Sequence, residues 1–139
     1  MKVLATVFLT LTLFISNTIN AQDKINITAT VVNIGSNEGK VGFALYNKDN
    51  FMTTPIVGAN GKIVDGKSVV VFKDIAPGEY AIICYHDKNN NDKMDFTPNR
   101  MPLEAYGASN NKLNPYGPPT FDSAKFIVSD KNVSLDIKF

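Results

Sequence analysis

The 139-residue chain contains one Cys, one His and no Trp, and its 14 Lys and Arg almost cancel its 13 Asp and Glu. A single Cys cannot close an internal disulfide, so a packed core must hold the fold. One His excludes the paired imidazoles of most zinc centres. No Gly-rich phosphate cradle and no Ser-His-Asp arrangement is present. A balanced charge leaves no electrostatic footprint for nucleic acid or an anionic membrane. The longest apolar run, Val3 to Ile15, is shorter than the roughly 20 residues that a membrane-spanning helix needs. With 44% hydrophobic residues, the chain has enough apolar surface to escape global disorder.

That apolar run reads as part of an export signal. Lys2 supplies the positive start, Val3–Ile15 the apolar stretch, and Ile19-Asn20-Ala21 a small-residue cleavage site before Gln22. Residues 1–21 are therefore expected to be a cleaved signal peptide, and 22–139 a single domain in the periplasm or outside the cell. The leader carries one Lys and no acid, so the mature chain is expected to be neutral. It is expected to have no transmembrane segment, to bind no nucleic acid and to be a monomer.

After Ala21 the dominant period is two. Ile25, Ile27, Ala29 and Val31 alternate with Asn26, Thr28 and Thr30, and Val41, Phe43 and Leu45 alternate with Gly42, Ala44 and Tyr46. Ala124, Phe126 and Val128 repeat the pattern, as do Val133, Leu135, Ile137 and Phe139. Side chains on a strand point to opposite faces in turn, so this alternation suits half-buried antiparallel strands. Asp65-Gly66 separates Ile63-Val64 from Val69–Phe72 as a tight hairpin turn. Ala76-Pro77-Gly78-Glu79 fits a type II turn with Gly78 at positive φ. It opens Tyr80–His86, apolar on both faces and hence a central strand. The pattern predicts an all-β, single antiparallel sandwich of about seven strands, immunoglobulin-like or prealbumin-like. Polar outward positions such as Thr28, Lys125, Asp136 and Lys138 argue against a lipid-facing barrel. Residues Phe96–Ser123 carry five Pro and no period, and are expected to form one long ordered loop pinned by its aromatics.

Directly after the central strand comes Asp87-Lys88-Asn89-Asn90-Asn91-Asp92-Lys93-Met94-Asp95. Asp87, Asn89, Asn91 and Asp95 stand at relative positions one, three, five and nine, and the Lys93 carbonyl at seven. A tightly coiled chain turns such oxygens inward, and Ca2+ takes six to eight of them. Position six, ordinarily Gly, is Asp92, one of the few other residues that enters positive φ. Position twelve is Pro98, so the missing carboxylate falls to Glu104. Without such a ligand the site would have the weak, roughly 10⁻⁴–10⁻³ M affinity of extracellular modules. The competing reading is an ion-free Asx turn, in a chain with fourteen Asn after Ala21.

Cys84 and His86 share a strand face, but a thiol nucleophile also needs an orienting group and an oxyanion pocket, and neither is in sight. Cys84 reads as a small core residue. His86, Arg100, Tyr106, Asn110 and Tyr116 are candidates for a partner or ligand surface, because exposed aromatic and amide groups serve sugar and peptide recognition. An envelope protein or a glycan fits that chemistry.

The blocks Phe72–Tyr80, His86–Asp95, Met101–Asn110 and Gly117–Ala124 together resemble the bacterial secreted family called domain of unknown function 2141, over about Ile25–Phe139. The Pro-Gly-x-Tyr turn alone is also similar to transthyretin-like and peptidase-regulatory sandwiches. The resemblance implies a small exported β-sandwich with no assigned activity. It also implies that the His-Asp, Asn-rich and Pro-x-Glu blocks form one site, which strengthens Glu104 as the missing ligand. The expected function is a non-catalytic exported sandwich whose Asp/Asn loop binds Ca2+ and orders a binding surface. The alternatives are an enzyme acting on envelope polymers through a carboxylate or His86, and a structural module with an ion-free turn.

Overall fold

A computed structural model describes residues 24–139; the signal-peptide reading lies outside the described residues. The chain runs β1 (Ile25–Val31), β2 (Lys40–Tyr46), β3 (Val57–Gly61), β4 (Ile63–Val64), β5 (Lys67–Ile75), β6 (Gly78–Asp87) and β7 (Tyr106–Ala108). A 3-10 turn (Ser109–Asn111), the short helix α1 (Phe121–Ala124), β8 (Phe126–Val128) and β9 (Val133–Ile137) follow. The fold is an all-β sandwich, with nine strands where about seven were expected.

One sheet has the order β4-β5-β1-β9; the other has β3-β2-β6-β7, and β8 pairs with the opposite end of β6 from β7. All pairings are antiparallel except β1 with β9, which run parallel. Strict alternation buries Ile25, Ile27, Ala29 and Val31 of β1 against Val41, Phe43, Leu45, Ile82 and Cys84 of the other sheet. β6 is central, as its two apolar faces require. One face enters the main core, and Ala81 on the other packs with Ala108, Phe121 and Ala124 in a second cluster.

The turns divide. Asp65 and Gly66 take φ of 51° and 71°, the mirror-image turn that suits strand twist. The turn before β6 differs from the expectation: Gly78 has no positive φ, and the left-handed residue is Asp74 at 58°. Asp74 lies where the register of β5 slips against β1, from Ile27↔Phe72 to Ile25↔Ile75. This bulge, with the Asp74 N–H on Asn26 Oδ1, bends the chain instead.

Phe96–Ser123 is not one long loop. It contains β7, the 3-10 turn and the start of α1. Polar side chains fasten it, where the sequence pointed to aromatics. The buried Ser109 hydroxyl accepts from Ile82 N–H and donates to the Ala124 carbonyl. Asn111 bonds the Asp136 carbonyl and the Lys138 N–H along the outer edge of β9. Phe121 does anchor the segment, whereas Tyr116 is 96% exposed.

β7 also crosses close to β9. A Cβ on Gly107 would lie 2.6 Å from the Lys138 carbonyl oxygen and 2.8 Å from Ile137 Cγ2, whereas one on Gly58 would have nothing nearer than 3.9 Å. Gly107→Ala is therefore expected to cost about 2 kcal/mol, and to lower the melting midpoint by roughly 10 °C. Gly58→Ala should leave it within a degree or two. Calorimetry of both variants checks the difference.

Candidate functional site

β6 delivers Asp87 to the top of the sheet, opposite Lys40 of β2. The Asp87 side chain is completely buried, and a buried carboxylate must find donors. Asn91 N–H donates to its Oδ1 at 3.0 Å and Asp92 N–H to its Oδ2 at 2.9 Å. These two bonds curl the loop back over the strand end. Asn90 and Asp92 hold the curl with φ of 59° and 61°, so Asp92 does adopt the conformation expected of a glycine.

The amides continue the coil. Asn89 Oδ1 accepts from Asn91 N–H at 3.2 Å, and Asn91 Oδ1 from Lys93 N–H at 2.9 Å. Their Nδ2 groups converge on Asp95: Asn89 reaches Oδ2 at 2.7 Å, and Asn91 reaches both oxygens at 3.0 and 2.9 Å. Glu104 accepts Lys88 N–H at 3.0 Å and Asp95 N–H at 3.1 Å, clamping the two ends of the loop. Asp87, Asn89, Asn91, Lys93, Asp95 and Glu104 thus belong to one hydrogen-bonded unit. The backbone and amide N–H groups are what they converge on.

Three participants have no signal in a linear reading. The Lys40 ammonium bonds Asp92 and stands 3.6 Å from Asp87 Oδ2. Its bond to Asp92 holds the Lys40 pKa above and the Asp92 pKa below their ordinary values. Asn60 of β3 also reaches Asp92, at 3.5 Å. Gly39 (φ 73°) passes so close that a Cβ would lie 2.1 Å from the Asp87 carbonyl oxygen. Only strand register brings these residues to the loop.

A groove of about 460 Å³ beside the loop is lined by Glu38, Lys88, Asn89, Asp95, Leu103 and Glu104. It is broad and open to solvent. Among the described residues, no group of three or more His, Cys, Asp and Glu side chains has metal-holding geometry. Any cation would need the Asn oxygens as well as the carboxylates. A carboxylate has about four lone-pair sites and an amide oxygen two. Asp87, Asn89 and Asn91 therefore retain acceptor capacity, and Asp95 must release amide N–H groups to accept a cation.

The partner-surface candidates do not gather. His86 is buried, with Nε2 2.7 Å from the Glu38 carbonyl and its ring stacked on Phe139, so it offers no face to a ligand. Asn110 spends its Nδ2 on the Ser123 and Lys125 carbonyls, at 3.3 and 2.7 Å. Tyr106 is half-buried opposite Tyr85, and only Arg100 and Tyr116 stand free in solvent. Burial raises the Cys84 thiol pKa well above its ordinary value, so this sulfur is a core atom and no thiolate.

These features define a class: a small β-sandwich whose central strand ends in an Asx-coiled acidic loop. The chain belongs to the family described as an uncharacterized protein conserved in bacteria (DUF2141), whose model matches residues 29–136. No curated protein and no solved structure matches it.

Two outcomes follow for the loop. Asp87→Asn keeps the shape but turns an NH2 group toward one of the two backbone donors; it should cost about 2–3 kcal/mol in denaturant titration. The Lys40–Asp92 attraction requires both charges. It is present above the ordinary Asp pKa and fades as pH falls through the lowered Asp92 value. It is equally present below the ordinary Lys pKa and fades as pH rises through the raised Lys40 value. An NMR titration should find the Asp92 carboxyl midpoint below, and the Lys40 midpoint above, those in the Lys40→Met and Asp92→Asn variants respectively.

Proposed function

We propose that this protein is an exported, non-catalytic sandwich whose Asp87–Asp95 loop takes up Ca2+ and thereby fixes the adjoining surface. One observation carries the reading. Oxygens at positions one, three, five and nine, with Glu104 from outside the loop, are tied into a single coil at the end of the central strand. A bound cation would be held by Asp87, Asn89, Asn91, the Lys93 carbonyl, Asp95 and Glu104, and it would supply charge neutralisation. The coil already gives the loop its inward curvature, so ligation asks for amide rearrangement around Asp95 and no refolding. The open groove supports a binding role more than a catalytic one. An envelope-polymer enzyme calls for an enclosed carboxyl apart from the loop, and the buried carboxyl here is Asp87.

One observation favours an ion-free structural turn instead. The donors that close the coil are all the protein's own, and the Lys40 ammonium stands near Asp87 where a cation would compete with it. The two readings separate in a melt. With a Kd of about 10⁻⁴ M, about 10 mM Ca2+ stabilises the fold by about 2.7 kcal/mol over chelator. Lys40→Met removes a repelling charge and should tighten Ca2+ binding about tenfold by calorimetry. Equal melting midpoints in Ca2+ and chelator, with no heat of binding to either chain, would leave the ion-free turn.

A further inference from the structure

The sheet β3-β2-β6-β7 turns one face to the main core, and its other face is covered only in part. Phe121 and Ala124 of α1 pack on Ala81 and Ala108, with Phe51 beside them. Register sets the remaining outward residues in two ranks. Asn60, Gly42, Tyr85 and Tyr106 form one, across β3, β2, β6 and β7; Gly58, Ala44 and Ile83 form the next, ending under α1 at Ala108. Directly paired residues share a face, so the ranks lie side by side on a strip four strands and about 14 Å across.

The floor of this strip is low. A Cβ on Gly58 would meet nothing nearer than 3.9 Å, and Ala44 and Ile83 beside it are half-buried. A glycine inside a strand often marks the close approach of another group. At Gly42 that group is the protein's own: a Cβ there would lie 2.6 Å from Tyr85 Cε1 and 3.2 Å from the Tyr85 hydroxyl. The Tyr85 side chain therefore lies over Gly42 of β2, held low against the sheet, and β7 sets Tyr106 opposite it. Tyr46 stands on the same face toward α1, edge to face with Phe51 at 5.7 Å.

The phenol groups are a second observation. Tyr80, on the inner face of β6, donates its hydroxyl to the Ala76 carbonyl at 2.9 Å. Those of Tyr46, Tyr85 and Tyr106 have no partner among the described residues, and all three reach solvent. Asn60 reaches Asp92 with its amide nitrogen at 3.5 Å and keeps its amide oxygen free.

We infer that this outer face is a carbohydrate platform, which takes a flat, uncharged, β-1,4-linked pyranose chain over Gly58 and Ala44 and against the Tyr85 and Tyr106 rings. The face of an aromatic ring carries negative potential, and the C–H groups of a pyranose present positive hydrogens to it. The sugar hydroxyls need several adaptable donors and acceptors around that contact, which the three free phenols and Asn60 supply. A lipid surface or the core of a protein interface calls for large exposed apolar side chains, and neither rank holds one. An acidic polymer calls for a free cation, and Lys40 at the end of the strip is bonded to Asp92. The inference does not depend on Ca2+ uptake by the neighbouring loop.

Calorimetric titration of the full chain, in chelator, with cellohexaose and with the hexamer of β-1,4-linked N-acetylglucosamine tests it. At least one should bind. Tyr106→Ala should weaken that binding about tenfold, and Tyr85→Phe, which keeps the ring and loses the hydroxyl, about threefold. Gly58→Thr separates binding from folding. Its side chain enters open space and suits a strand, so the melting midpoint holds, yet it rises through the floor and should weaken binding about tenfold. Tyr116→Ala, outside the strip, should bind as the parent does. No heat with either sugar, or an affinity that Gly58→Thr and Tyr106→Ala leave unchanged in the folded chain, overturns the inference. So does binding of a polyproline peptide in place of both sugars, which would make the strip a peptide site.

Discussion

A carboxylate removed from water at the end of the central strand governs the acidic-loop end of this molecule. Asp87 has no solvent exposure, and an isolated charge in that position would cost several kcal/mol. The chain meets the demand locally, by folding Asn91 and Asp92 back so that their N–H groups face the carboxylate. Lys40 adds a cation from the neighbouring strand. The curl of the loop, the left-handed backbone at Asn90 and Asp92, and the presentation of the amides to Asp95 follow from satisfying that one group.

The same economy of polar contacts extends outward. Glu104 ties the two ends of the loop to the segment beyond it. Further along, Ser109, Asn110 and Asn111 bind backbone groups of β6, α1 and β9. These side chains take the place of the ladder that a longer strand would form. They let a Pro-rich segment, which cannot pair continuously, lie ordered against a sheet. Electrostatics at this end is a matter of near neighbours: the acids are paired or hydrogen-bonded where they stand, and Lys88 pairs with Glu38.

The family match covers residues 29–136, a range that includes strands of both sheets and the whole acidic loop. The proposed Ca2+ uptake concerns one part of it, the oxygen lone pairs inside the coil.

Alternation of apolar residues was enough to place β1, β2, β8 and β9, because a half-buried strand imprints its period directly on the chain, while β5 and β6 were legible as apolar runs set off by turn residues. The Asp65-Gly66 turn and the positive φ at Asp92 were legible for a similar reason: local stereochemistry limits which residues can stand there. β3 and β7 were not legible, since Val57–Gly61 and Tyr106–Ala108 are short, Gly-containing and defined by their partners on β2 and β6. Spacing grouped Asp87, Asn89, Asn91 and Asp95, yet it could not say whether their oxygens face an ion or the chain's own N–H groups. Lys40, Gly39 and Asn60 come to the loop only through strand register, and the burial of His86 only through packing against Phe139. The sequence by itself determined period, turn chemistry and the inventory of charges, all of which act over a few residues. The tertiary structure alone decided which distant residues share a surface, because sheet order and register are settled by the joint burial of many side chains and not by any one segment.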